Sequence, residues 1–496
     1  MSNNILKLSE PPKIITQSSH IFQSTYQCDA CSPILAAKKQ TYQFNFEECN
    51  FHKNKELISY RINSDNYAVV SPLANTFTVL NYSAKKILDI FDDDSANNYV
   101  LTQFYNKWGI NIINKILDQM VISGLLIDNS KKNYMFKEKL EKLAAWLHIT
   151  DRCNLRCTYC YLQHKKADMS EEIGRAAIEA TFRSAIIHNY KEVKFKYAGG
   201  EPLLRFLLIE KLHKVAKLFA ERYDIELDEV ILSNGTLLNT KIIKTILKLG
   251  LRIMISLDGL GPYHNNQRPY ANGLGSVDDV LNAINLSLSY GLVPDISITV
   301  TGQNAEGLPQ LMEWILERNL PFSINFFRDN GNSRHYQNLK LEEKKIITGL
   351  LAAYKVIEDN LPKHSMLASL ADRANLSTLH LRTCSVGRSY LVFDPLGLVS
   401  KCQMKMDRAI TNVNAVDPLT VVRADKKGIR NISFEKKEEC RTCVWRYWCS
   451  GGCPLAAYNA TGRYDIKSPD CNIYKAIYPE IIRLEGLRLL RYFNTN

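Results

Sequence analysis

Short apolar runs alternate with amphipathic stretches through the middle of the chain, and this alternation is its most regular pattern. Each strand-like run is followed by a longer segment with apolar residues at helical spacing, which is typical of parallel βαβ units. The predicted strands are residues 145–150, 193–198, 229–233, 252–257, 296–301 and 322–327. The pattern predicts an α/β domain in which helices cover a parallel sheet.

The pattern before this region predicts a small separate domain. Two strand-like runs, residues 57–62 and 67–70, flank a polar turn. Three amphipathic helices follow, and we expect Ser83 to cap the first of them. A short strand at residues 125–127 closes the domain. A hairpin, three helices and a closing strand predict a winged-helix-like fold, whereas the polar first 55 residues show no period and predict an irregular segment.

Composition narrows the possible partners. The 496 residues carry a formal charge of +12, but Lys and Arg are interleaved with acids, and no basic cluster marks the third helix of the small domain. We therefore expect no nucleic-acid partner. The first thirty residues lack a secretory pattern, and no run of about 18 or more apolar residues occurs. We expect a cytoplasmic protein without membrane contact, whose thirteen cysteines favour metal or cluster ligation over disulfides.

Three cysteines follow the first predicted strand of the repeat region. Cys153, Cys157 and Cys160 have the spacing C-x3-C-x2-C and stand directly before Tyr161. Three thiolates can hold three corners of an iron–sulfur cube and leave the fourth iron open to a small molecule, whereas an electron carrier closes its cube with a fourth cysteine. A zinc or redox loop is the alternative interpretation of this spacing alone.

This loop, with further motifs in the same order, resembles the radical S-adenosylmethionine (radical SAM) enzymes. The segment Gly199-Gly200-Glu201-Pro202 after the second strand is similar to the family's GGEP motif, and the ends of the third and fourth strands are similar to segments that border SAM. The resemblance implies a partial (β/α)6 TIM-type barrel. The residues that would bind the cofactor SAM are Tyr161, Gly199, Gly200, Glu201, Asn234, Ser256 and Arg268.

In that family the open iron binds SAM, and one electron cleaves SAM to methionine and a 5′-deoxyadenosyl radical that abstracts a substrate hydrogen. The resemblance implies an electron donor such as flavodoxin or ferredoxin. An arginine at the position of Arg268 often lies near the SAM carboxylate, which its fork of donors suits. Asn265 departs from the histidine–aspartate pair common in the family, so the role of that acid stays open here.

Seven cysteines between residues 384 and 471 resemble, cysteine for cysteine, the SPASM extension of radical SAM enzymes that modify peptides. The resemblance implies two auxiliary 4Fe-4S clusters, and thus three in all. Cys440, Cys443, Cys449 and Cys471 would close one of them, and Cys384, Cys402 and Cys453 would hold the other. The fourth iron of the second cluster would be open to substrate or water, which we favour over ligation by His380. Zinc is the alternative for this array taken alone.

The segment of residues 71–81 looks like the peptide-recognition domain of ribosomal-peptide maturation systems (PqqD-like), which adds a precursor's leader peptide to an exposed sheet edge. These resemblances imply a peptide maturase that installs an intramolecular thioether or carbon–carbon crosslink in a precursor peptide. Sulfatase-maturase-like oxidation and peptide epimerisation are alternatives. Gln403 stands where sulfatase-activating relatives carry a catalytic aspartate, which disfavours the first. A redox-sensing DNA-binding regulator is a further alternative.

The sequence nominates no catalytic base.

Six segments summarise the predicted organisation. They are an irregular segment (1–55), the recognition domain (56–135), the barrel (141–335), a helical bridge (336–380), the SPASM domain (381–480) and a C-terminal helix (481–496). We expect the three cysteines of the first segment to be free thiols, namely Cys28, Cys31 and Cys49.

Overall fold

The computed structural model describes residues 8–18, 51–72, 74–92, 98–128, 140–164, 166–329, 336–372 and 374–493. Cys28, Cys31 and Cys49 lie outside these residues, so their predicted state is not addressed. Of the helices in the described ranges, none has the combination of length and hydropathy that a membrane crossing needs.

The N-terminal part forms two small sheets and three helices. Its elements are β1 (Ile14–Ser18), β2 (Phe51–Lys53), β3 (Ile58–Arg61), β4 (Asn66–Ser71), β5 (Thr76–Asn81), α1 (Tyr82–Ile90), α2 (Asn98–Trp108), α3 (Ile110–Ile122) and β6 (Leu126–Asp128). The four-stranded sheet has the order β1-β5-β4-β3, and β2 pairs with β6. The prediction that residues 1–55 are irregular is therefore wrong for β1 and β2, which are short and gain their order from distant partners.

The predicted helix cap at Ser83 is also wrong. Asn81 is the N-cap of α1, and its side chain accepts a hydrogen bond from the backbone of Ala84 at 3.0 Å. Ser83 instead donates to the carbonyl of Glu10 at 2.6 Å, because the chain just before β1 crosses the start of α1. The N-terminal segment is thus fixed to the small domain.

The middle of the chain forms a parallel sheet covered by helices. Its elements are β7 (Lys142–Thr150), α4 (Glu171–Ile187), β8 (Glu192–Gly199), α5 (Phe206–Tyr223), β9 (Glu226–Ser233), α6 (Thr240–Leu249), β10 (Arg252–Ser256), α7 (Pro262–Asn265), α8 (Val277–Ser289), β11 (Asp295–Val300), α9 (Leu308–Glu317) and β12 (Phe322–Phe326). All neighbouring pairs from β7 to β12 are parallel. Each of the six strands overlaps one predicted from the sequence.

The C-terminal part extends this sheet. Its elements are α10 (Tyr336–Leu339), α11 (Glu343–Asp359), β13 (Tyr390–Phe393), β14 (Leu398–Ser400), β15 (Thr411–Asn412), α12 (Pro418–Ala424), α13 (Arg446–Cys449), α14 (Pro454–Thr461) and α15 (Cys471–Phe493). Strand β13 pairs in parallel with β7, and β14 and β15 follow in antiparallel fashion. The last helix begins at Cys471 rather than at residue 481.

Strand β7 separates two environments by the alternation of its side chains. Leu147 and Ile149 pack into the main core, whereas Ala144 and Trp146 belong to a second core on the opposite face of the strand. That second core also includes Cys384, Cys402 and Cys453. This face of β7 therefore packs against the predicted three-cysteine set.

The small N-terminal domain docks against the C-terminal region. The rings of Tyr60 and Trp445 are stacked with centroids 5.7 Å apart. Helix α15 packs across the four-stranded sheet, where Gly486 lies so close to Ile62 that a β-carbon would clash with it. The thiol of Cys443 is close enough to raise the pKa of Tyr60 in addition to the effect of burial. The recognition domain predicted from sequence thus adjoins the four-cysteine set.

Candidate functional site

The loop that carries the first three cysteines is held by the backbone of the Gly-Gly motif. Gly200 N–H donates to the carbonyl of Thr150 at 2.7 Å, and Glu201 N–H donates to that of Arg152 at 2.8 Å. Gly199 has a φ of 154°, and a β-carbon at Gly199 or Gly200 would collide with the Thr150 or Arg152 carbonyl. The motif needs glycine because two backbones meet there.

The Glu201 carboxylate ties the end of β8 to the end of β9. One oxygen accepts from the Leu203 N–H at 3.0 Å and the Ser233 hydroxyl at 2.8 Å, and the other accepts from the Asn234 N–H at 2.7 Å. Burial raises the pKa of this carboxyl to about 7, against the opposing effect of its three donors. All three donors belong to the protein, so the carboxylate fixes the loop geometry around the site.

Asn234 faces the cysteine loop. Its side-chain amide donates to Asn154 at 2.9 Å and lies 3.9 Å from the sulfur of Cys153. Its oxygen accepts from the backbone of Thr236 at 3.0 Å. The third strand end is thereby linked to the loop that follows β7. Ser256 ends β10 in register with Ser297 of β11, beside this cluster of strand ends.

Arg268 lies against the same loop from the other side. Its Nε is 2.7 Å from the buried carboxylate of Asp258, its Nη1 is 3.8 Å from the sulfur of Cys157, and its guanidinium lies 5.3 Å from the ring centre of Tyr159. The Tyr159 hydroxyl donates to Asp258 at 2.5 Å. Sequence reasoning missed Asp258 as the anchor of Arg268, although it stands in the quoted Ser-Leu-Asp-Gly segment.

The departure at Asn265 has a structural role. Its side-chain oxygen accepts from the backbone N–H groups of Ser276 and Val277, both at 2.9 Å, and so caps the start of α8. Neighbouring His264 is buried, which lowers its pKa to about 4 and leaves a neutral ring that accepts from the Asp258 N–H at 3.2 Å. An amide serves such a cap as well as a carboxylate, so the missing acid needs no replacement there.

Burial dominates the acidity of the three thiols. It raises the pKa of Cys153 to about 11 and that of Cys157 to about 12, while Arg268 opposes the shift at Cys157. Ligation of a metal would therefore have to displace protons from these thiols. Burial also raises the pKa of Tyr161, and the thiols of Cys160 and Cys402 raise it further. Tyr161 thus lies between the loop and the three-cysteine set.

The four-cysteine set lines one partly open pocket. Aromatic side chains and lysines complete its wall. The cysteines are Cys440, Cys443, Cys449 and Cys471, and the aromatic residues are Trp445, Tyr474 and Tyr478. The Tyr478 hydroxyl is buried beside Cys449 and lowers the pKa of that thiol, against the larger effect of burial. Trp448 is fully buried, and its ring centroid lies 6.3 Å from that of Trp445.

The three-cysteine set shares the second core with Trp146. Cys384 and Cys402 flank the β13–β14 hairpin. The side chain of Asn431 lies 3.5 Å from the Cys384 sulfur, and the oxygen of Gln403 lies 3.8 Å from the Cys402 sulfur. No carboxylate therefore occupies the position beside Cys402 that an aspartate takes in sulfatase-activating relatives.

His380 is completely buried next to the four-cysteine set. Its backbone N–H donates to Tyr447 and its carbonyl accepts from Ser450, and its ring lies beside backbone groups of Thr378 and Trp448. Burial lowers its pKa to about 4. These backbone contacts hold His380 close to Cys449.

Replacing Gly200 by Ala should disrupt the cysteine loop, because the new β-carbon collides with the Arg152 carbonyl. We expect the iron content after anaerobic reconstitution to fall by about four atoms per chain, the share of one cube. The matched control is Gly428→Ala, whose β-carbon would meet only the movable side-chain ends of Asp425 and Lys401. Equal iron content in the two variants would contradict this account of the motif.

The chain matches the radical SAM superfamily over residues 147–315, a range that contains all of the loop and strand-end residues described above. An uncharacterised protein of Methanocaldococcus jannaschii, MJ0907, is 31% identical over 221 residues, covering 44% of this chain and 74% of the relative. A cysteine-type anaerobic sulfatase-maturating enzyme of Clostridium perfringens is 24% identical, covering 61% and 85%.

The radical SAM cyclopropyl synthase TigE of Paramaledivibacter caminithermalis is 22% identical, and the match covers 84% of this chain and 90% of TigE. Among solved structures, native anSMEcpe with bound AdoMet and Cp18Cys peptide superposes with a TM-score of 0.58 at 20% identity, covering 70% of this chain and 99% of that one. The shared fold, the match over the cysteine loop and the enzymes among its relatives lead to one conclusion: the chain belongs to the radical SAM superfamily and is an enzyme.

Proposed function

We propose that this enzyme modifies a ribosomally synthesised precursor peptide by installing an intramolecular thioether or carbon–carbon crosslink. SAM and a four-iron cluster are the cofactors of its superfamily, and the donor chemistry of Cys153, Cys157 and Cys160 fits such a cluster. When bound, these cofactors supply a radical reactive enough to take hydrogen from an unactivated carbon. Arg268 and Asn234 hold the loop on either side, and the braced backbone of Gly200 keeps it in place.

One observation supports a more specific function than superfamily membership. The three-cysteine set packs against β7, the same strand that the loop of Cys153, Cys157 and Cys160 follows. The loop follows the last residue of β7, whereas the three-cysteine set packs on Ala144, six residues earlier. At about 3.3 Å per residue the two ends of this interval are roughly 20 Å apart. Trp146 lies between them in the second core, and the proposed peptide segment would bind along this interval.

The four-cysteine set suits a cluster better than a zinc ion. A tetrahedral zinc site brings its sulfurs to about 2.3 Å from one point. Among the described residues, no three His, Cys, Asp or Glu side chains converge in that manner. The four thiols instead line one pocket with an aromatic wall, which supports a larger group such as a four-iron cube.

The proposed auxiliary cluster at the three-cysteine set would accept the electron that ring formation releases. A crosslink forms with the loss of two hydrogens. The first is abstracted as a hydrogen atom, and the second leaves as a proton and an electron. Gln403 beside Cys402 accepts from the Tyr390 hydroxyl at 3.1 Å and cannot act as a base at neutral pH. This favours crosslinking over the sulfatase-maturase-like oxidation that the Clostridium perfringens relative performs by its name. The electron donor, flavodoxin or ferredoxin, stays a prediction.

The small N-terminal domain would bind the leader peptide, but at a restricted edge. Strand β1 already pairs with β5 along Ile14–Ser18, and the side chain of Gln17 is anchored to buried Arg488 at 2.5 Å. Among the described strands, the outer edge of β3 is therefore the candidate docking edge, because Tyr60 of this strand stacks on Trp445 beside the four-cysteine set. Ile62 N–H donates to Asn66, so the ladder alternation directs the N–H of Ser59 outward.

Co-expression with a short precursor encoded beside this gene should yield a peptide lighter by two hydrogens per ring. The loss follows because each crosslink removes one hydrogen from each joined atom. Mass spectrometry of the isolated peptide checks this expectation. An unchanged mass with inverted stereochemistry would replace the proposal by epimerisation, and a single oxidised side chain without a ring would replace it by maturase-type oxidation.

Replacing Cys153, Cys157 and Cys160 together by Ala should abolish reductive SAM cleavage, because no thiolate remains to hold the cluster that binds SAM. About eight of about twelve iron atoms per chain should remain, since the auxiliary sites are separate in the fold. Methionine release and iron analysis give the two readouts. Retained cleavage would refute the site assignment, and loss of all iron would refute the independence of the auxiliary sites.

Ser59→Pro should weaken leader binding at least tenfold, because it removes the outward N–H from the edge of β3, where proline is otherwise tolerated. Ser59→Val changes the side chain but keeps this donor and is the control. Fluorescence anisotropy of a labelled leader peptide measures both, and SAM cleavage without peptide should be the same in both variants. Equal leader affinity in the two variants would discard β3 as the docking edge.

A further inference from the structure

A buried lysine lies where the two proposed auxiliary sites meet. Lys437 is 1% exposed, and its ammonium donates to the carbonyl of Ser450 at 2.7 Å. No carboxylate forms an ion pair with it in the described part of the chain. An ammonium has three N–H donors, so two of them point elsewhere in the same buried space. Burial of such a charge is strongly unfavourable unless an anion compensates it.

The loop from Cys449 to Cys453 encloses this ammonium and carries one cysteine of each set. Its three middle residues have positive φ angles of 49°, 82° and 68°, a curl that two consecutive glycines make possible. A β-carbon at Gly451 would lie 2.6 Å from Nζ of Lys437 and 3.1 Å from the sulfur of Cys440. The ammonium and a thiol of the four-cysteine set therefore face each other across Gly451.

The three-cysteine set reaches the same loop through Thr383, the residue before Cys384. Its hydroxyl lies 3.2, 3.1 and 2.8 Å from the carbonyls of Cys449, Ser450 and Gly452. Burial lowers the pKa of the lysine, and thiols of both sets oppose that shift. They are Cys440, Cys449, Cys384 and Cys453. Thiols of both sets therefore lie near the ammonium, and those of the four-cysteine set exert the larger effects on its pKa.

We propose that Lys437 is the shared counter-ion of the two auxiliary clusters and raises the reduction potential of each. A cube held by thiolates carries negative charge that grows on reduction, and a nearby cation in a low-dielectric site favours the reduced form. Lys437 would thereby make both clusters better electron acceptors. This inference rests on the proposed function, since it requires a cluster at each set.

The test uses the full chain with Cys153, Cys157 and Cys160 replaced by Ala, so that only auxiliary signals remain. A redox titration followed by electron paramagnetic resonance gives both midpoint potentials. Lys437→Met should shift both midpoint potentials to more negative values by at least about 59 mV, which corresponds to a tenfold change in the one-electron reduction equilibrium. Lys436→Met is the matched control, because Lys436 is the exposed neighbour and its loss should leave both potentials unchanged.

A second variant separates charge from hydrogen bonding. Lys437→Gln can still donate to Ser450 but lacks the charge, so both potentials should fall as in the Met variant. Unmoved potentials in either loaded variant, or a shift of only one cluster, would overturn the shared counter-ion. Iron content of the parent protein is measured first. About four atoms per chain instead of about eight would mean that the proposed function fails, independently of Lys437.

Discussion

Everything in this enzyme depends on the pairing of β7 along both of its edges. On one edge the ladder to β8 runs from Lys142↔Glu192 into the Gly-Gly motif, which clamps the cysteine loop. On the other edge Tyr390↔Ala144 brings in the β13–β14 hairpin with its two cysteines. Both pairings are parallel, so the loop of Cys153, Cys157 and Cys160 and the three-cysteine set are both positioned by strand β7.

Local motifs made a large part of this site predictable. The spacing of Cys153, Cys157 and Cys160, the glycine pair and the strand ends all lie in short stretches whose chemistry depends on neighbouring residues. The six parallel strands were predictable for the same reason, since each carries its own apolar run between helical patterns. Motif residues predicted to border SAM lie around the cysteine loop, although the Glu201 carboxylate serves to tie two strand ends together.

Features that depend on distant partners could not be predicted. Strand β1 is ordered only by its ladder to β5 and by the contact of Gln17 with Arg488, residues more than 400 positions apart. The continuation of the barrel sheet into β13 has no local signal either. Asp258 and Lys437 escaped notice because a single acid or lysine gains meaning only from what the fold places around it. Thus the sequence predicts the motifs and the parallel strands, and the fold supplies the spacing between the motifs and the charges around them.

The central claim is that the loop after β7 leaves one iron open to SAM while the other clusters do not bind it. The most direct measurement is the electron paramagnetic resonance spectrum of the reduced, fully loaded enzyme before and after addition of SAM. We expect one cluster signal to change on addition of SAM, and the change to vanish when the three cysteines of the loop are replaced. Spectra that show clusters indifferent to SAM would contradict the account.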